Sequence, residues 1–316
     1  MSSSRSQADL PDLLERARAG QARAIGRLIS LVEDGSPLVP ELTALLAERG
    51  SGRAQVIGLT GAPGVGKSTS TSALIRELRR IHDRVGVLAI DPSSPFTGGA
   101  LLGDRIRMTE HADDDGVFVR SMASRGQLGG IAAAAPQAVR VLEAAGCGVV
   151  LVETVGVGQS EVDVVRTADT TVVLLAPGMG DGIQAAKAGI LEIADIFVVN
   201  KADRADAGQV SRALRDLQSI SGSSAWTAPI LRTVATEHKG FPELVQALAD
   251  HRTWLIDTGE LERRRTERAR HEVEAIAVGV LRERLSGKAE LDRLAARVVA
   301  GELDPYTAAD QLLADS

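Results

Sequence analysis

The sequence predicts an α/β fold with a mostly parallel sheet, on three observations. Seven short apolar segments recur through the middle of the chain, at 55–60, 85–90, 117–119, 148–152, 170–175, 196–199 and 229–231. They are continuous Val/Leu/Ile runs, the pattern of strands buried on both faces. Helical segments separate several of them, as crossovers between parallel strands require.

The flanks of this α/β region, residues 51–258, read differently. Residues 1–9 are polar and predict a disordered tail. Residues 10–50 carry Leu10, Leu13, Leu14, then Ile25, Leu28, Ile29, Val32, then Leu42, Leu45 and Leu46 at helical spacing, interrupted by Pro37 and Pro40. They predict an N-terminal helical extension. Beyond residue 258 the composition shifts. Glu260 to Arg270 is densely charged and Arg-rich, and Val273, Ile276, Ala277, Val280 and Leu281 then recur at helical spacing. A second helix follows Gly287, with Leu291, Leu294, Ala295 and Val298, and a short third one lies near Tyr306–Leu313. Residues 259–316 therefore predict a helical arm whose apolar stripe needs a partner surface, its own domain or a second copy. The cluster Arg263-Arg264-Arg265 reads as a solvated face.

Composition excludes several classes. There are 36 basic and 42 acidic residues, a net charge of −6, which argues against a nucleic-acid-coating protein. Aromatics are only 2% of residues, too few for a base-stacking platform. The single cysteine, Cys147, sits in an apolar segment and reads as a small core residue. His82, His111, His238, His251 and His271 lack metal-ligand spacing. The N-terminus has no apolar signal core, and no apolar run reaches about 18 residues, so a cytoplasmic chain without a membrane span is expected.

Chemistry enters at Gly61-Ala62-Pro63-Gly64-Val65-Gly66-Lys67-Ser68, a complete G-x-x-x-x-G-K-[ST] phosphate loop. The segment before it reads as a buried strand. Thr69 to Ile81 after it reads as a helix with Leu74, Ile75 and Leu78 on one face, so the required strand–loop–helix context is present. The glycines let successive backbone N–H groups curl around the β- and γ-phosphates, and Lys67 adds a point charge at the helix N-terminus. The Ser68 hydroxyl is placed to ligate Mg²⁺, and Thr69 completes the phosphate contacts.

Asn200-Lys201-Ala202-Asp203 follows the strand at 196–199 and fits N-K-x-D. A carboxylate at Asp203 can accept from both guanine N1–H and the exocyclic 2-amino group, a donor pair adenine lacks. Asn200 can meet the purine edge, and the Lys201 stem can lie over the ring. Thr233-Val234-Ala235 offers backbone N–H groups of Val234 and Ala235 as a second base contact. Together with the phosphate loop, this predicts binding of a guanine nucleotide.

Glu153-Thr154-Val155-Gly156 follows the strand at 148–152 and stands where most GTPases have D-x-x-G. Glu153 is a carboxylate for Mg²⁺, held directly or through water, and Gly156 offers an N–H to the γ-phosphate. The alternative is a strand-end acid capping the next helix. Gln159 is a candidate for orienting the attacking water. Asp91 closes the strand at 85–90, and the loop after it runs through Gly98-Gly99 to Asp104 and Arg105. Asp91 and Asp104 are candidate Mg²⁺ or water ligands, the alternative being solvated loop acids. The glycine-rich stretch Gly178 to Gln184 predicts a mobile loop.

Taken together, these motifs resemble the methylmalonyl-CoA mutase-associated GTPase chaperones, the MeaB-type proteins of the signal-recognition-particle and MinD-like class of P-loop NTPases. The resemblance runs from about residue 15 to the C-terminus. It is carried by GAPGVGKST at 61–69, DPSSPFTGGALLGDRIRM at 91–108, ETVGVGQSE at 153–161, PGMGDGIQAAKAGI at 177–190 and NKAD at 200–203. Glu153 in place of Asp is the family's own pattern. Ser124-Arg125-Gly126-Gln127 and Arg23-Ala24-Ile25-Gly26 depart from its wording without touching a catalytic assignment.

The resemblance implies that Asp91, Asp104 and Glu153 act with Lys67 and Ser68 in an Mg²⁺ and switch site for GTP and GDP. It implies that Asp181, Gln184 and Lys187 lie on a further switch loop facing the partner. It implies a homodimer formed by the C-terminal arm, and an adenosylcobalamin-dependent acyl-CoA mutase as partner, whose cofactor loading and protection GTP hydrolysis would gate. Cobalamin is not expected to be gripped by this chain, because the D-x-H-x-x-G motif is absent. Two alternatives remain. A metallocentre-assembly GTPase would need a Cys/His delivery site, and a protein kinase of a transport system would pass the γ-phosphate to an acceptor other than water. A protein-targeting GTPase would need a Met-rich or basic RNA-binding domain, which the chain lacks.

Overall fold

The computed structural model describes residues 9–48, 54–92, 110–111, 113–124, 130–154, 167–178, 193–220, 225–285 and 289–314. All seven expected strands are present: β1 (Gln55–Thr60), β2 (Val85–Pro92), β3 (Val117–Ser124), β4 (Val149–Thr154), β5 (Thr170–Leu175), β6 (Ile196–Val199) and β7 (Ile230–Arg232). They form one sheet in the order β3-β2-β4-β1-β5-β6-β7, and each neighbouring pair is parallel. Every residue of β1, β4, β5 and β6 is buried, which is why these strands read as continuous apolar runs.

Successive strand residues point to opposite faces, and each face has its own helical cover. On one face Ile57, Leu59, Val149, Leu151, Val172, Leu174, Ile196 and Val198 meet α4 (Lys67–Leu78) and α7 (Phe241–Asp257) through Leu74, Ile75, Leu78, Phe241, Leu244 and Leu248. On the other face Val173, Leu175, Phe197 and Val199 meet α6 (Ala207–Ile220) through Ala207, Val210 and Leu214. The rest of that face, with Val56, Leu88, Ile90, Val150 and Val152, is covered by α5 (Gly130–Ala144). Cys147 lies in this last cluster as expected, and burial pushes its thiol up to about 12.

The N-terminal helices belong to the same cluster. They are α1 (Leu10–Arg18), α2 (Ala22–Glu33) and α3 (Val39–Glu48), and Leu14, Leu28, Ile29, Leu42 and Leu46 pack with α5 residues Val141 and Leu142. Polar ties reinforce the contact. Arg84 donates to Arg18 O at 2.7 Å and to Ala145 O at 2.6 Å, and Arg120 of β3 pairs with Glu33. Of the tail expected at 1–9, only Asp9 is described, and its carboxylate caps α1 by accepting from Asp12 N–H at 3.4 Å.

The remaining helices are α8 (Glu260–Leu285), α9 (Ala289–Val299) and α10 (Pro305–Ala314). The chain divides into two compact units, Met1–Arg268 and Ala269–Ser316. In the second, Leu294, Ala308 and Leu312 form a small core with Leu285, Val298 and Leu303. Among the described residues, no helix is long and apolar enough to cross a membrane.

Ion pairs tie the start of α8 to the amino end of the sheet. Asp169 precedes β5 and Asp195 precedes β6, both at the amino end of the sheet and both buried. Arg265 and Arg268 reach Asp169 at 2.8 and 2.6 Å, while Arg264 grips both oxygens of Asp195 at 2.9 Å. Backbone N–H groups of Val56 and Thr171 also donate to these carboxylates, at 3.0 and 2.8 Å. Burial pushes both carboxyls up. The hydrogen bonds and charges of Arg265 and Arg268 on Asp169, and of His251 and Arg264 on Asp195, outweigh it and hold both below the usual range.

This corrects the solvated-face reading of Arg263-Arg264-Arg265. Arg263 is exposed and rests on Glu260, but Arg264 and Arg265 are half-buried structural cations. The sequence pattern misleads because the acids they meet are far away in the chain.

A chain ending at Thr258 should therefore melt well below one ending at Arg268, since leaving a buried charge unpaired costs on the order of 3–5 kcal/mol. Depressed carboxyls contribute stability above the ordinary pKa of about 4 and lose it as pH falls through their lower folded values. The gap between the two melting temperatures should accordingly shrink in acid. Equal melting temperatures at neutral pH would show that the arginines are not structural.

Candidate functional site

The strand order reverses around β1, which lies between β4 and β5, and the chain leaves its carboxyl end as the phosphate loop. In parallel α/β sheets this is the place where ligands bind. The loop is shaped by two close approaches. Gly61 has φ 146°, and a Cβ there would sit 2.3 Å from Leu174 O in β5. Gly66 has φ 95°, and a Cβ there would sit 2.5 Å from Nδ2 of Asn200. Only glycine combines these backbone angles with this space. Between them Val65 is buried while Pro63 and Gly64 are exposed, so the loop is anchored at Val65 and open at its tip.

Gly66 is the N-cap of α4, and Ser70 N–H returns to Gly66 O at 2.9 Å. The N–H groups ahead of it have no acceptor inside the helix, the arrangement that receives an anion. Lys67 is buried, and its ammonium donates to the loop carbonyls of Gly61 and, at 3.2 Å, Ala62. Lys201 donates to Gly64 O at 2.7 Å. Two cations thus converge on the phosphate loop. Lys201 has φ 55°, a left-handed conformation costing a non-glycine residue about 1–2 kcal/mol, kept where surrounding contacts over-determine it. Thr69 is exposed at the start of the helix.

Glu153 ends β4 beside this helix and is fully buried. Its Oε1 accepts from the Ser68 hydroxyl at 2.9 Å, and its Oε2 from the Thr71 hydroxyl at 2.7 Å. Both of these partners lie on α4, upstream in the chain. Beside it Thr154 donates to Thr60 Oγ1 at 3.3 Å, joining the ends of β4 and β1. Hard oxygen donors on Ser68 and Glu153, one neutral and one anionic, fit Mg²⁺, which takes one or two protein ligands and leaves the rest to phosphate and water. Among the described residues no group of three or more His, Cys, Asp and Glu could hold a metal by itself.

Asn200 makes contacts within the protein that its motif did not announce. Its Nδ2 donates to Val65 O at 2.9 Å, and its Oδ1 accepts from the Thr233 hydroxyl at 3.2 Å and from Ala235 N–H at 3.1 Å. It is a buried clasp between the phosphate loop and the segment after β7. The N–H groups offered as a second base contact are engaged as well. Val234 N–H donates to Lys239 O at 3.1 Å, and Ala235 N–H is the one held by Asn200. A base contact at Ala235 would require sharing that N–H with Asn200, and Val234 N–H closes a local turn. Asp203, by contrast, is exposed, and among the described residues nothing pairs with its carboxylate. It is the acceptor left open for a ligand.

Asp91 lies at the carboxyl end of β2, its Cα paired with Ala123. The candidates Asp104, Gly156, Gln159, Asp181, Gln184 and Lys187 lie outside the described residues. Sequence reasoning missed Thr71. Its position three residues after Ser68 puts both hydroxyls on one face of α4, and this spacing was the available signal.

The sequence profile described as Methylmalonyl Co-A mutase-associated GTPase MeaB matches residues 25–290. The chain belongs to this family. It is a MeaB-family GTPase with the P-loop α/β fold. A putative GTPase of Pyrococcus abyssi is 47% identical, with 96% of each chain covered. The mitochondrial methylmalonic aciduria type A homolog of Mus musculus is 33% identical over 93% of this chain and 76% of that one. Among solved structures, an LAO/AO transport system kinase is 28% identical and covers 98% of both chains, with a TM-score of 0.71.

The clasp and the open carboxylate separate two roles within N-K-x-D. Asn200→Ala should lower the melting temperature of the nucleotide-free protein, because the buried Ala235 N–H and Val65 carbonyl lose their partner at roughly 1–3 kcal/mol each. Asp203→Ala should leave stability within about 0.5 kcal/mol of wild type, as for an exposed residue without contacts. Thermal denaturation of both variants without nucleotide checks it; similar losses would mean Asp203 is structural too.

Proposed function

We propose that this GTPase is the nucleotide-driven chaperone of an adenosylcobalamin-dependent acyl-CoA mutase. The observation that carries the proposal is the family match over 25–290, whose description names association with methylmalonyl-CoA mutase. The likeness to the methylmalonic aciduria type A homolog supports it. GTP hydrolysis would gate cofactor loading and protect or reactivate the mutase, in the cytoplasm.

The proposed mechanism joins the described part of the site to the residues that the family resemblance assigns. The backbone N–H groups of the phosphate loop from Gly61 to Thr69, Pro63 excepted, hold the β- and γ-phosphates, and Lys67 turns from its loop carbonyls to the phosphate oxygens. Ser68 and Glu153 would hold Mg²⁺, which would neutralise charge on the phosphates when bound. Asp91 and Asp104 extend that site, Gly156 donates to the γ-phosphate and Gln159 orients the attacking water. Asp203 selects guanine by accepting from its two donors, Lys201 lines the ring, and Asn200 keeps the base and phosphate segments in register. Asp181, Gln184 and Lys187 report the nucleotide state to the mutase.

Asp203→Asn should cost roughly ten- to a hundredfold in GTP affinity, because a charged acceptor pair worth about 1.5–3 kcal/mol is replaced by a mismatched amide. Calorimetry with GTP and ATP checks this, and equal wild-type affinity for the two would remove the guanine assignment.

The arm is the proposed dimer contact. Val273, Ile276 and Val280 lie at i, i+3 and i+7 on α8 and are 68%, 46% and 44% exposed, the spacing of a helix seam. Light scattering of the full chain should give twice its mass. A mutase pull-down with no nucleotide, GDP or a non-hydrolysable GTP analogue should change with the nucleotide, and saturating mutase should speed hydrolysis to free phosphate. A rate indifferent to the mutase, or phosphate found on a protein acceptor, would favour instead a kinase activity, the one for which the similar LAO/AO transport system kinase is named.

A further inference from the structure

A buried carboxylate at a metal site has two oxygens, and only one needs to face the ion. The other must be held, or the group turns and its charge moves away. At Glu153 the two oxygens are assigned to different hydroxyls. Oε1 lies 2.9 Å from Ser68 Oγ, the oxygen beside the phosphate loop, and Oε2 lies 2.7 Å from Thr71 Oγ1, one helical turn deeper. Thr71 is fully buried, and its hydroxyl also lies 3.1 Å from Lys67 O. A hydroxyl carries a single proton, and the shorter contact, to an anionic acceptor, takes it.

We propose that Thr71 is a positioning residue for the metal-dependent nucleotide site: its hydroxyl pins Oε2 of Glu153 so that Oε1 stays on the Ser68 side. The proposal rests on the reading of Glu153 as the carboxylate of the Mg²⁺ site. Three features carry it. The contact is short and charge-assisted. Both hydroxyls stand on the same rigid helix at i and i+3, so the carboxylate is held at two fixed points. Thr71 and Glu153 are both fully buried, where a charge-assisted hydrogen bond is stronger than in water.

The threonine methyl has a part as well. Serine would supply the donor without filling the same space, whereas valine fills the space without the donor. The pair of substitutions therefore separates hydrogen bonding from packing.

The experiment follows release of a fluorescent GDP from the full-length protein as Mg²⁺ is varied, and again in EDTA. Thr71→Val should raise the Mg²⁺ concentration for half-maximal retention about tenfold, as for other groups that orient a metal ligand. Its release rate in EDTA should match wild type, since the phosphate loop and the base site are untouched. Thr71→Ser should restore the wild-type Mg²⁺ requirement, and melting curves report whether each variant folds. An unchanged requirement in Thr71→Val, or an equal loss of GDP with and without Mg²⁺, would overturn the proposal. Glu153→Gln distinguishes the two levels. If it leaves the Mg²⁺ requirement unaltered, the reading of Glu153 fails and this one with it. If it raises the requirement while Thr71→Val does not, only the role of Thr71 fails.

Discussion

Asn200 joins segments that lie far apart in the chain, and the geometry of the candidate site depends on that junction. Its amide holds Val65 in the phosphate loop, and its carbonyl oxygen holds Thr233 and Ala235 after β7. The loop cannot shift without breaking a buried hydrogen bond, and Gly66 is confined because its α-carbon lies against the same amide. Under the proposed function, a phosphate site and a base site joined through one side chain would keep a fixed separation. That separation is what recognition of a single nucleotide requires, because freezing it in advance lowers the entropy lost on binding.

Carboxylates are buried at both ends of the sheet. At the amino end Asp169 and Asp195 meet arginines on α8 within salt-bridge distance, which holds their charge and ties the helix to the strands. At the carboxyl end Glu153 receives hydroxyls from α4. The first contacts anchor a helix to the strands, and the second fix the orientation of a carboxylate at the strand ends, where parallel sheets bind ligands.

Much of the fold was legible because its signals are local. Six of the seven strands stand within two residues of their expected bounds, and those buried on both faces have few polar residues to blur them; β3, only half-buried, runs five residues past its expected end. The phosphate loop, N-K-x-D and Glu153 were legible because each is a short contiguous pattern at a strand end. The parts of Asn200, Thr71, Arg264 and Arg265 were not. Each depends on a partner on another element, and no local pattern distinguishes an exposed arginine from one that meets Asp195.

By itself, then, the sequence determined the order of elements, the parallel sheet, the phosphate loop and the family, all of which follow from hydrophobic patterning and contiguous motifs. The tertiary structure decided which polar groups remain open to a ligand and which are consumed in holding the site. Asn200 and Asp203 sit three residues apart, yet one is a buried clasp and the other an exposed acceptor. Val234 and Ala235 look like free donors in the sequence and are engaged in the fold. The physical reason is that every buried hydrogen-bonding group needs a partner, and the chain's folding alone determines which distant residue supplies it.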